Sequence, residues 1–270
     1  MKPYHAKKRF GQNFLNSEKV ITRIVELVNP KGGDVVIEVG PGLGALTIPL
    51  AKSGAQVWGI EFDRDIIHQL EENLLKFSNT TILNKDFLGF HPEDYKLNSF
   101  FLTGNLPYNI TSPVIDWCIS YRDRIVGAVL MVQKEMAERI TGRPGSRNWS
   151  PLSIFTQLHF DAIHCFDVPP AAFTPQPEVT SSVIRLTPRE ATEIADPELF
   201  ERVVRSSFGQ RRKLLVNNLV PDLISDAAQA RGILRALDLP ELSRAEELSI
   251  PKFIHLTEKI SRLQTDKGKA

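Results

Sequence analysis

The sequence lacks several features by which a protein class can be recognised at once. It contains only two cysteines, Cys118 and Cys165, which are far apart and lie in apolar surroundings, so it has neither a disulfide framework nor a Cys-x-x-Cys metal or redox motif. Its longest uninterrupted apolar run, residues 125–132, is far shorter than the roughly 20 residues needed to span a bilayer. The basic N-terminus has no apolar core and no small-residue cleavage site, so it does not resemble a secretory signal. These absences predict buried thiols and a cytoplasmic protein without a membrane segment.

The sequence also lacks an excess of charge of one sign. Its 33 lysines and arginines nearly balance its 32 aspartates and glutamates, which gives a net charge of +1. Overall charge therefore does not indicate a nucleic-acid partner, and such a partner has to be inferred from local clusters of basic residues. With 42% apolar and 24% charged residues over 270 positions, the composition is typical of a globular protein with one large domain or two.

Short β-branched or aromatic runs alternate with helical patterns over the first two thirds of the chain. The runs are "DVVIEV", "QVWGIEF", "TTILNKD", "SFFLTGN" and "VGAVLMVQ". Near-continuous apolar strands separated by helices predict a parallel sheet covered on both faces. Two later runs, "AIHCFDV" and "SSVIRLTP", flank a proline-rich segment and predict a pair of strands at one side of that sheet.

Only helical patterns follow after about residue 190. They include "PELFERVVRSSFG", "RRKLLVNNLV", "DAAQARGILRALD" and "PKFIHLTEKISRL", and the last seven residues are expected to be frayed. Pro197 and Pro251 mark two helix starts, because proline fits the first position of a helix. The sequence therefore predicts an α/β domain over residues 1–190 and a small all-helical domain over residues 191–270.

A glycine-rich turn joins the first predicted strand to a helix in "VVIEVGPGLGALTIPL". Gly40, Gly42 and Gly44 have a G-x-G-x-G spacing, which differs from the G-x-G-x-x-G of dinucleotide-binding enzymes. Glycines at such a turn let a ligand approach the main chain closely, and this ligand need not carry a pyrophosphate. Glu38 adds a carboxylate at the strand end, which is unsuited to phosphate but suited to a cation.

Two further carboxylates follow at the ends of the next predicted strands. Glu61 is placed to accept hydrogen bonds from a ribose diol, and Asp86 to accept from the amino group of an adenine ring. Each signal is weak alone, but three carboxylates at successive strand ends beside a glycine turn form a coherent nucleoside pocket. The combination favours S-adenosylmethionine, which has an adenosine, a sulfonium and an amino acid but no phosphate.

The stretch "GNLPYNITSP", residues 104–113, falls at the end of the fourth predicted strand. An Asn-x-Pro-aromatic loop at this place resembles the motif of methyltransferases that modify exocyclic amino groups of bases. The Asn105 side-chain oxygen and the Leu106 carbonyl can accept the two hydrogens of the N6 amino group of adenine. Pro107 stiffens the loop, and Tyr108 offers a ring face for stacking on a base, worth about 1–3 kcal/mol.

Taken together, these motifs resemble those of the KsgA-type rRNA adenine dimethyltransferases, which methylate two adjacent adenosines near the 3′ end of small-subunit rRNA. The resemblance extends over almost the whole chain, in the segments "KKRFGQNFLNS", "IEVGPGLGALT", "GIEFDRD", "NKDF", "GNLPYNITSP", "VPPAAFTPQPEVTSSVIRL" and "FGQRRKLLVNNL". It implies a Rossmann-like class I methyltransferase sheet with a helical C-terminal domain that recognises RNA. It also implies small-subunit rRNA or an immature small subunit as partner, and we expect a monomer that needs no metal.

The resemblance also implies roles for particular residues. The residues expected around the cofactor are Asn13, Leu15, Glu38, Gly40, Gly42, Glu61, Asp86 and Asn105. Phe173, between prolines that would present its ring rigidly, is expected to stack on the target adenine opposite Tyr108, although a core phenylalanine is the alternative. One departure from the family is that "NWSPLS" stands where Tyr-Gly is expected after the basic segment "GRPGSR".

Basic residues cluster at three places that suit phosphate contacts. The predicted RNA-binding residues are Lys7, Lys8, Arg9, Arg143, Arg147, Arg202, Arg205, Arg211, Arg212 and Lys213, with Arg139 beside the second cluster. Arg202, Arg205, Arg211, Arg212 and Lys213 are predicted to form a cluster free of acids. The alternative is that each cluster is an ordinary solvated face, or that residues 211–213 pack against the catalytic domain and cap helix ends.

Two other functions remain open from the sequence. The first is an adenine dimethyltransferase of the antibiotic-resistance type that acts on large-subunit rRNA, because both enzymes would share the chemistry. The second is an RNA-binding assembly or transcription factor that kept the fold without the activity. The presence of Glu61, Asp86, Asn105 and Tyr108 argues against the second.

Overall fold

The computed structural model describes residues 12–267, and the chain forms two compact units. Each unit is built from two segments: 1–138 with 159–189, and 139–158 with 190–270. The sequence predicted a single boundary near residue 190, whereas the structure places residues 139–158 in the second unit. This segment carries Ile154 and Leu158, which are buried in the hydrophobic core of that unit, so its side chains belong with the helices.

The described part of the first unit contains nine strands. Their bounds are β1 Phe14–Leu15, β2 Val35–Val39, β3 Gln56–Glu61, β4 Thr80–Asn84, β5 Phe100–Asn105, β6 Ile125–Gln133, β7 Phe160–Val168, β8 Phe173–Thr174 and β9 Ser181–Pro188. Seven of them form one sheet in the order β4-β3-β2-β5-β6-β9-β7. Strands β2 to β6 are parallel, and β9 runs antiparallel to both β6 and β7. The α/β class, the parallel sheet and the predicted strand pair at its side are thereby confirmed.

Helices α1 to α5 follow the strands of this unit, α5 crossing into the second unit. Their bounds are α1 Glu18–Val28, α2 Thr47–Lys52, α3 Arg64–Leu74, α4 Thr111–Ser120 and α5 Lys134–Ile140. In α1, Val20, Ile24 and Val28 recur every four residues and are buried, which gives the helix one apolar face for the core. Apart from Glu38, strand β2 is apolar, and it is buried on both faces, as expected of a parallel strand between helices.

The direction in which successive strands are added reverses beside β2. Chain order proceeds from β2 to β3 and β4 on one side, and then from β5 onward on the other. Such a reversal opens a crevice at the carboxyl ends of the strands, where ligands of α/β proteins bind. Strands β2 and β5 approach closely there, since a Cβ on Gly104 would lie 2.6 Å from the Val39 carbonyl oxygen. Glycine is therefore required at the start of the "GNLPY" motif.

A second, two-stranded sheet lies beside this crevice. Strand β1 pairs with β8, with Phe14 opposite Thr174 and Leu15 opposite Phe173. The amide of Asn16 extends the pairing by donating to the Ala172 carbonyl at 2.9 Å. The N-terminal motif segment is thereby joined to the "AAFTP" segment, more than 150 residues later in the chain.

The second unit is helical, as predicted. Its helices are α6 Pro151–His159, whose last residue belongs to the first unit, α7 Pro197–Ser207, α8 Leu215–Leu219, α9 Ala227–Ala236 and α10 Ile250–Lys267. Asp196 caps α7 by accepting from the Leu199 amide at 2.9 Å, with Pro197 at the first helical position. Helix α10 continues to Lys267, and the last three residues of the stretch expected to fray lie outside the described residues.

The segment "RRKLLVNNLV" is only partly helical. Its three basic residues lie in the turn that connects α7 to α8, and the helix begins at Leu215. The Asn218 side chain donates to the carbonyls of Ser207, at 2.7 Å, and of Gln210, at 3.2 Å, and these bonds stabilise the turn. Side-chain hydrogen bonds from a distant position override the helical propensity of the basic residues here.

Two expectations about the chain as a whole can be compared with the structure. Within the part of the chain that the structure describes, no helix is both long and apolar enough to cross a membrane. Cys118 is buried as predicted, but Cys165 is only half-buried, because it lies on β7 at the side of the sheet.

Candidate active site

A cleft of about 650 Å³ opens at the carboxyl edge of the sheet, where the strand order reverses. The predicted cofactor-binding and catalytic residues all line it: Asn13, Leu15, Glu38, Gly40, Gly42, Glu61, Asp86, Asn105, Leu106, Tyr108 and Phe173. They come from six segments of the sequence and meet because parallel strands end at one edge. The structure thus brings the whole predicted set together, and all of it lies within the first unit.

The glycine turn forms one wall of the cleft. Gly40 has a φ of +64°, and a Cβ placed on it would meet no atom within 4 Å, so its main chain is open to an incoming ligand. Gly42, with a φ of +58°, instead faces the Phe14 ring, 3.3 Å from the position of a Cβ. Gly40 therefore leaves space for a ligand, whereas Gly42 leaves space for the Phe14 ring of the N-terminal segment.

Glu61 is buried and held by main-chain amides. Its Oε2 accepts from Gly42 at 3.1 Å and its Oε1 from Asp63 at 2.9 Å. Burial raises the pKa of Glu61 above its ordinary value, and these hydrogen bonds oppose the rise. The Phe62 amide also contacts this carboxylate. A carboxylate has about four acceptor positions, so Glu61 retains one for a ligand hydroxyl.

Glu38 lies deeper and has a different environment. Its Oε2 accepts from the Thr47 hydroxyl at 2.6 Å. Burial, with a smaller contribution from the neighbouring charge of Glu61, raises the pKa of Glu38 to about 7. A positively charged ligand group in the cleft would favour the ionised form, which agrees with the preference for a cation expected from the sequence.

Asp86 is exposed at the rim of the cleft. Its Oδ1 accepts from the Leu88 amide at 3.0 Å and caps a single 3-10 turn over Phe87–Gly89. This cap uses one carboxyl oxygen, and the residue lines the cleft, so the second oxygen remains an acceptor on the exposed rim. The structural and the predicted binding role of Asp86 are therefore compatible.

The Asn105 side chain is oriented by the N-terminal segment. Its Nδ2 donates to the Asn13 carbonyl at 2.9 Å, which directs the amide group and leaves Oδ1 as the acceptor. The next residue is fixed through its main chain, because the Leu106 amide donates to the Met131 carbonyl at 2.9 Å. Both groups expected to accept from an amino group are thus oriented by hydrogen bonds to main-chain carbonyls.

The two aromatic residues of the predicted base site have different exposure. Tyr108 is partly exposed, and its hydroxyl is hydrogen-bonded to the Ser181 side chain; burial raises its pKa, and that bond opposes the rise. Phe173 is 3% exposed and packs in the core cluster with Leu15, opposite it in the β1–β8 pair. Phe173 therefore forms a wall of the cleft, and stacking on a base requires its ring to turn outward.

Sequence reasoning missed several polar residues of the cleft. Gln12 donates to Asp63 at 3.0 Å, and Asp63 also caps α3 by accepting from the Asp65 amide. Ser181 lines the cleft beside Tyr108, and Thr47 holds Glu38. The capping pattern at Asp63 was the one available signal, since the other contacts join distant segments.

The basic residues predicted to bind RNA fall into three groups. Lys7, Lys8 and Arg9 lie outside the described residues. All the others have exposed side chains, namely Arg139, Arg143, Arg147, Arg202, Arg205, Arg211, Arg212 and Lys213. Arg205 and Arg211 make contacts within the helical unit.

The expectation of an acid-free cluster was wrong. Arg205 Nε donates to Glu201 at 2.7 Å, one helical turn earlier, and its guanidinium lies 5.3 Å from the centre of the Phe155 ring. Arg211 donates to the main-chain carbonyls of Arg147 and Trp149. These two arginines are exposed, but they also bind other residues of the helical unit.

The described part of the chain has no cluster of side chains that could bind a metal ion. Among residues 12–267, no three His, Cys, Asp or Glu side chains converge as a metal site would require. Glu38 and Glu61 are held by hydroxyl and amide donors, which leaves them suited to an organic ligand.

Comparison with known proteins assigns this architecture. The family described as "Ribosomal RNA adenine dimethylase" matches residues 4–256. The chain is 42% identical over 260 residues, 95% of its length and 98% of the relative's, to "Ribosomal RNA small subunit methyltransferase A" of Francisella tularensis subsp. novicida (strain U112).

Two solved structures are similar over nearly the same span. One is a dimethyladenosine transferase from Plasmodium falciparum, with a TM-score of 0.80, 25% identity and coverage of 92% of this chain and 98% of that one. The other is the 23S rRNA methyltransferase ErmE, with a TM-score of 0.75, 29% identity and coverage of 92% and 100%.

Proposed function

The chain belongs to the ribosomal RNA adenine dimethylase family, and we propose that it dimethylates the N6 amino groups of two adjacent adenosines near the 3′ end of small-subunit (16S) rRNA. The methyl donor is S-adenosylmethionine. The observation that carries the proposed chemistry is the Asn105 amide, whose donor side is bound to Asn13 and whose acceptor side is left for the substrate.

The cleft fits the methyl donor. S-adenosylmethionine supplies a methyl group activated by its positively charged sulfur. Gly40 leaves room for a ligand against the main chain, and a Cβ would fill part of that room. Glu61 is placed to bind a ribose diol and Asp86 an adenine amino group, while the buried Glu38 provides negative charge for the cationic part of the ligand.

The "NLPY" loop then acts on the target base. The N6 amino group of adenine is a poor nucleophile, because its lone pair is delocalised into the ring. Asn105 Oδ1 and the Leu106 carbonyl accept its two hydrogens and favour a pyramidal nitrogen with the lone pair directed at the methyl group. Since both acceptors are held by backbone contacts, orientation supplies most of the catalysis.

Stacking holds the base in this position. Tyr108 offers a partly exposed ring, and Phe173 forms the opposite wall once its ring turns outward. A base embedded in structured RNA has to be splayed out to reach this pocket. For the second methylation the same pocket has to admit a methyl group already present, with one acceptor left to bind the remaining hydrogen.

The two units divide the work. We assign catalysis and cofactor binding to the α/β unit, predicted over residues 1–190, and contacts with RNA phosphates to the helical unit, predicted over residues 191–270 together with residues 139–158. The exposed basic side chains of the helical unit support this assignment. We also propose that the protein acts as a monomer, in the cytoplasm, on an immature small subunit.

The competing substrate is large-subunit rRNA, since ErmE shares the fold. The small-subunit assignment is favoured by the higher identity, over nearly the full length, to a small-subunit methyltransferase. The test supplies labelled S-adenosylmethionine with immature small subunits, large-subunit RNA and DNA in parallel, and maps the product. We expect label on two adjacent adenosines near the 3′ end of the small-subunit RNA; label on large-subunit RNA alone would contradict the assignment.

A further inference from the structure

Arg211 differs from its basic neighbours in the use of its side chain. Its Nη2 donates to the main-chain carbonyls of Arg147 and of Trp149, the latter at 3.0 Å. All three side chains are exposed, but those of Arg212 and Lys213 make no hydrogen bond or ion pair with other described residues. Three consecutive basic residues look equivalent in the sequence, but Arg211 binds the main chain, whereas Arg212 and Lys213 do not.

The carbonyls that Arg211 binds belong to the basic loop, which we define as residues 142–149. The first arm of this loop is fixed by Gln157, whose Nε2 donates to the Gly142 carbonyl at 2.7 Å. The two arms touch, because a Cβ on Gly142 would lie 2.8 Å from the Asn148 carbonyl oxygen. Arg211 fixes the second arm, so the backbone of the loop is held from both sides.

The end of the basic loop is anchored in the core of the helical unit. Trp149 is 1% exposed, and its Nε1 donates to the Leu248 carbonyl at 2.8 Å. At the turn, Gly145 has a φ of +85°, and its amide donates to the Glu246 carbonyl at 2.7 Å. The tryptophan that departs from the family pattern is thus the anchor of the loop.

This fixed backbone carries two exposed guanidinium groups, those of Arg143 and Arg147. Phosphate contacts position a nucleic acid without reading its sequence, and they are stronger when the protein groups are already ordered. A loop that keeps its shape before binding loses little entropy when the RNA arrives. The spacing of Arg143 and Arg147 therefore depends on whatever holds the loop.

We propose that Arg211 is a positioning residue of the RNA-binding surface, which holds the basic loop while Arg143, Arg147, Arg212 and Lys213 contact the phosphates. The proposal rests on the proposed function, because it takes rRNA as the partner of the helical unit. It predicts that removing Arg211 loosens the loop, whereas removing Arg212 removes a contact.

A charge-conserving substitution separates the two roles. The planar guanidinium has several donors and can reach two carbonyls at once, whereas a lysine ammonium is a point charge on a flexible stem. A lysine can therefore replace an arginine that contacts a phosphate, but it cannot replace one that donates to two carbonyls at once. Arg211→Lys should therefore behave differently from the matched Arg212→Lys.

The experiment uses the full-length protein. Hydrogen exchange of the free protein reports on residues 142–149, and binding to a transcript of the small-subunit rRNA 3′ region is measured at several salt concentrations. We expect Arg211→Lys to accelerate exchange in the basic loop and to weaken binding about tenfold at every salt concentration, with an unchanged salt dependence. Arg212→Lys should do neither, and Arg212→Ala should reduce the slope of log K against log salt by about 1.

Trp149→Phe provides an independent test with all charges kept. It removes the indole N–H that donates to Leu248, so it should also loosen the basic loop and weaken binding without changing the salt dependence. A loosened loop with unchanged affinity would overturn the proposal. An Arg211→Lys variant with wild-type hydrogen exchange and RNA affinity would also overturn it. So would an Arg211→Ala variant that reduces the slope of log K against log salt by about 1 while hydrogen exchange in the basic loop stays as slow as in wild type. If wild-type protein does not bind small-subunit RNA, the proposed function fails, and the exchange measurement still reports whether Arg211 holds the loop.

Discussion

The carboxyl edge of the sheet and the basic loop of the helical unit use polar side chains in opposite ways. At the sheet edge, main-chain groups orient Glu61 and Asn105, which we propose to bind the ligand. In the helical unit, Arg211 is the orienting group, and it binds main-chain carbonyls so that Arg143 and Arg147 are presented. Chemistry on one amino group requires directed acceptors, whereas binding of phosphates requires only charges at a fixed spacing.

The sharpest test of this contrast is at Asn105. Asn105→Ala should lower the rate of methyl transfer by about 10²–10³-fold with cofactor affinity retained, because a directed transition-state contact is removed. Asn105→Asp should also be impaired, because a carboxylate oxygen would face the Asn13 carbonyl in place of the N–H. Rates with immature small subunits and calorimetric cofactor binding measure the two effects, and Glu61→Gln is the matched control that should weaken cofactor binding. A fully active Asn105→Asp variant would show that the contact with Asn13 does not direct the acceptor.

The next largest effect is expected at Glu38, the buried carboxyl group beside Glu61. Because burial raises the pKa of Glu38 to about 7 from an ordinary value of 4.5, the neutral form is favoured in the folded protein, and stability falls as the pH rises through this range. Glu38→Gln keeps an acceptor for Thr47 and cannot ionise. Its free energy of unfolding relative to wild type should therefore increase from pH 4.5 to pH 8 by up to about 3 kcal/mol. Unfolding of the free protein measured at both pH values checks this, and a difference that does not change with pH would contradict it.

A smaller effect is expected at the hydroxyl of Tyr108. Ser181→Ala and Tyr108→Phe remove the same hydrogen bond, so each should lower kcat/KM for small subunits about fivefold, and the double variant should be no worse than either. Ser182→Ala is the control, because its hydroxyl instead donates to Asp167 at 2.7 Å, and its effect should add to that of Tyr108→Phe. Additive effects of Ser181→Ala and Tyr108→Phe would show that Ser181 does not act through the tyrosine.

The smallest effect is expected on the surface of α7. Glu201→Gln removes the ion pair with Arg205, and since both side chains are more than half exposed, stability should change by less than about 0.5 kcal/mol. RNA affinity should rise slightly at low salt, because one negative charge leaves a basic face. Thermal unfolding and binding at two salt concentrations measure the two effects. A large loss of stability would mean that Arg205 depends on Glu201 for its packing on Phe155.

The parts of the fold that depend on local patterns could be predicted from the sequence. The strand runs, the glycine turn and the helix start at Asp196 follow from periodicity and capping, and the positions of Glu38, Glu61 and Asn105 at strand ends follow from the parallel topology. Contacts between distant segments could not be predicted in this way. The bond between Asn105 and Asn13 and the pairing of β1 with β8 join residues that no local pattern relates.

The same limit applies to the helical unit. Arg205, Arg211 and Arg212 all look like surface cations in the sequence. The ion pair of Arg205 with Glu201 is a local contact one turn away on a predicted helix, and the sequence pattern contained it. The carbonyl partners of Arg211 lie more than 60 residues earlier in the chain, and only the structure shows them. Charge clusters predict where an anion is attracted, and the backbone decides which charges remain available.

Each unit is formed by two separate chain segments, which restricts how the protein can be truncated and how it folds during synthesis. A fragment that stops at residue 190 contains residues 139–158 but none of α7 to α10, so Trp149, Ile154 and Leu158 would have no core to enter. During translation these apolar side chains are synthesised well before α7 to α10, against which they pack. Strands β7 and β9, which complete the sheet, are also synthesised after them. A stable, separately folding catalytic unit therefore calls for excision of residues 139–158 with a short bridge from α5 to β7, and simple truncation should yield an aggregating product.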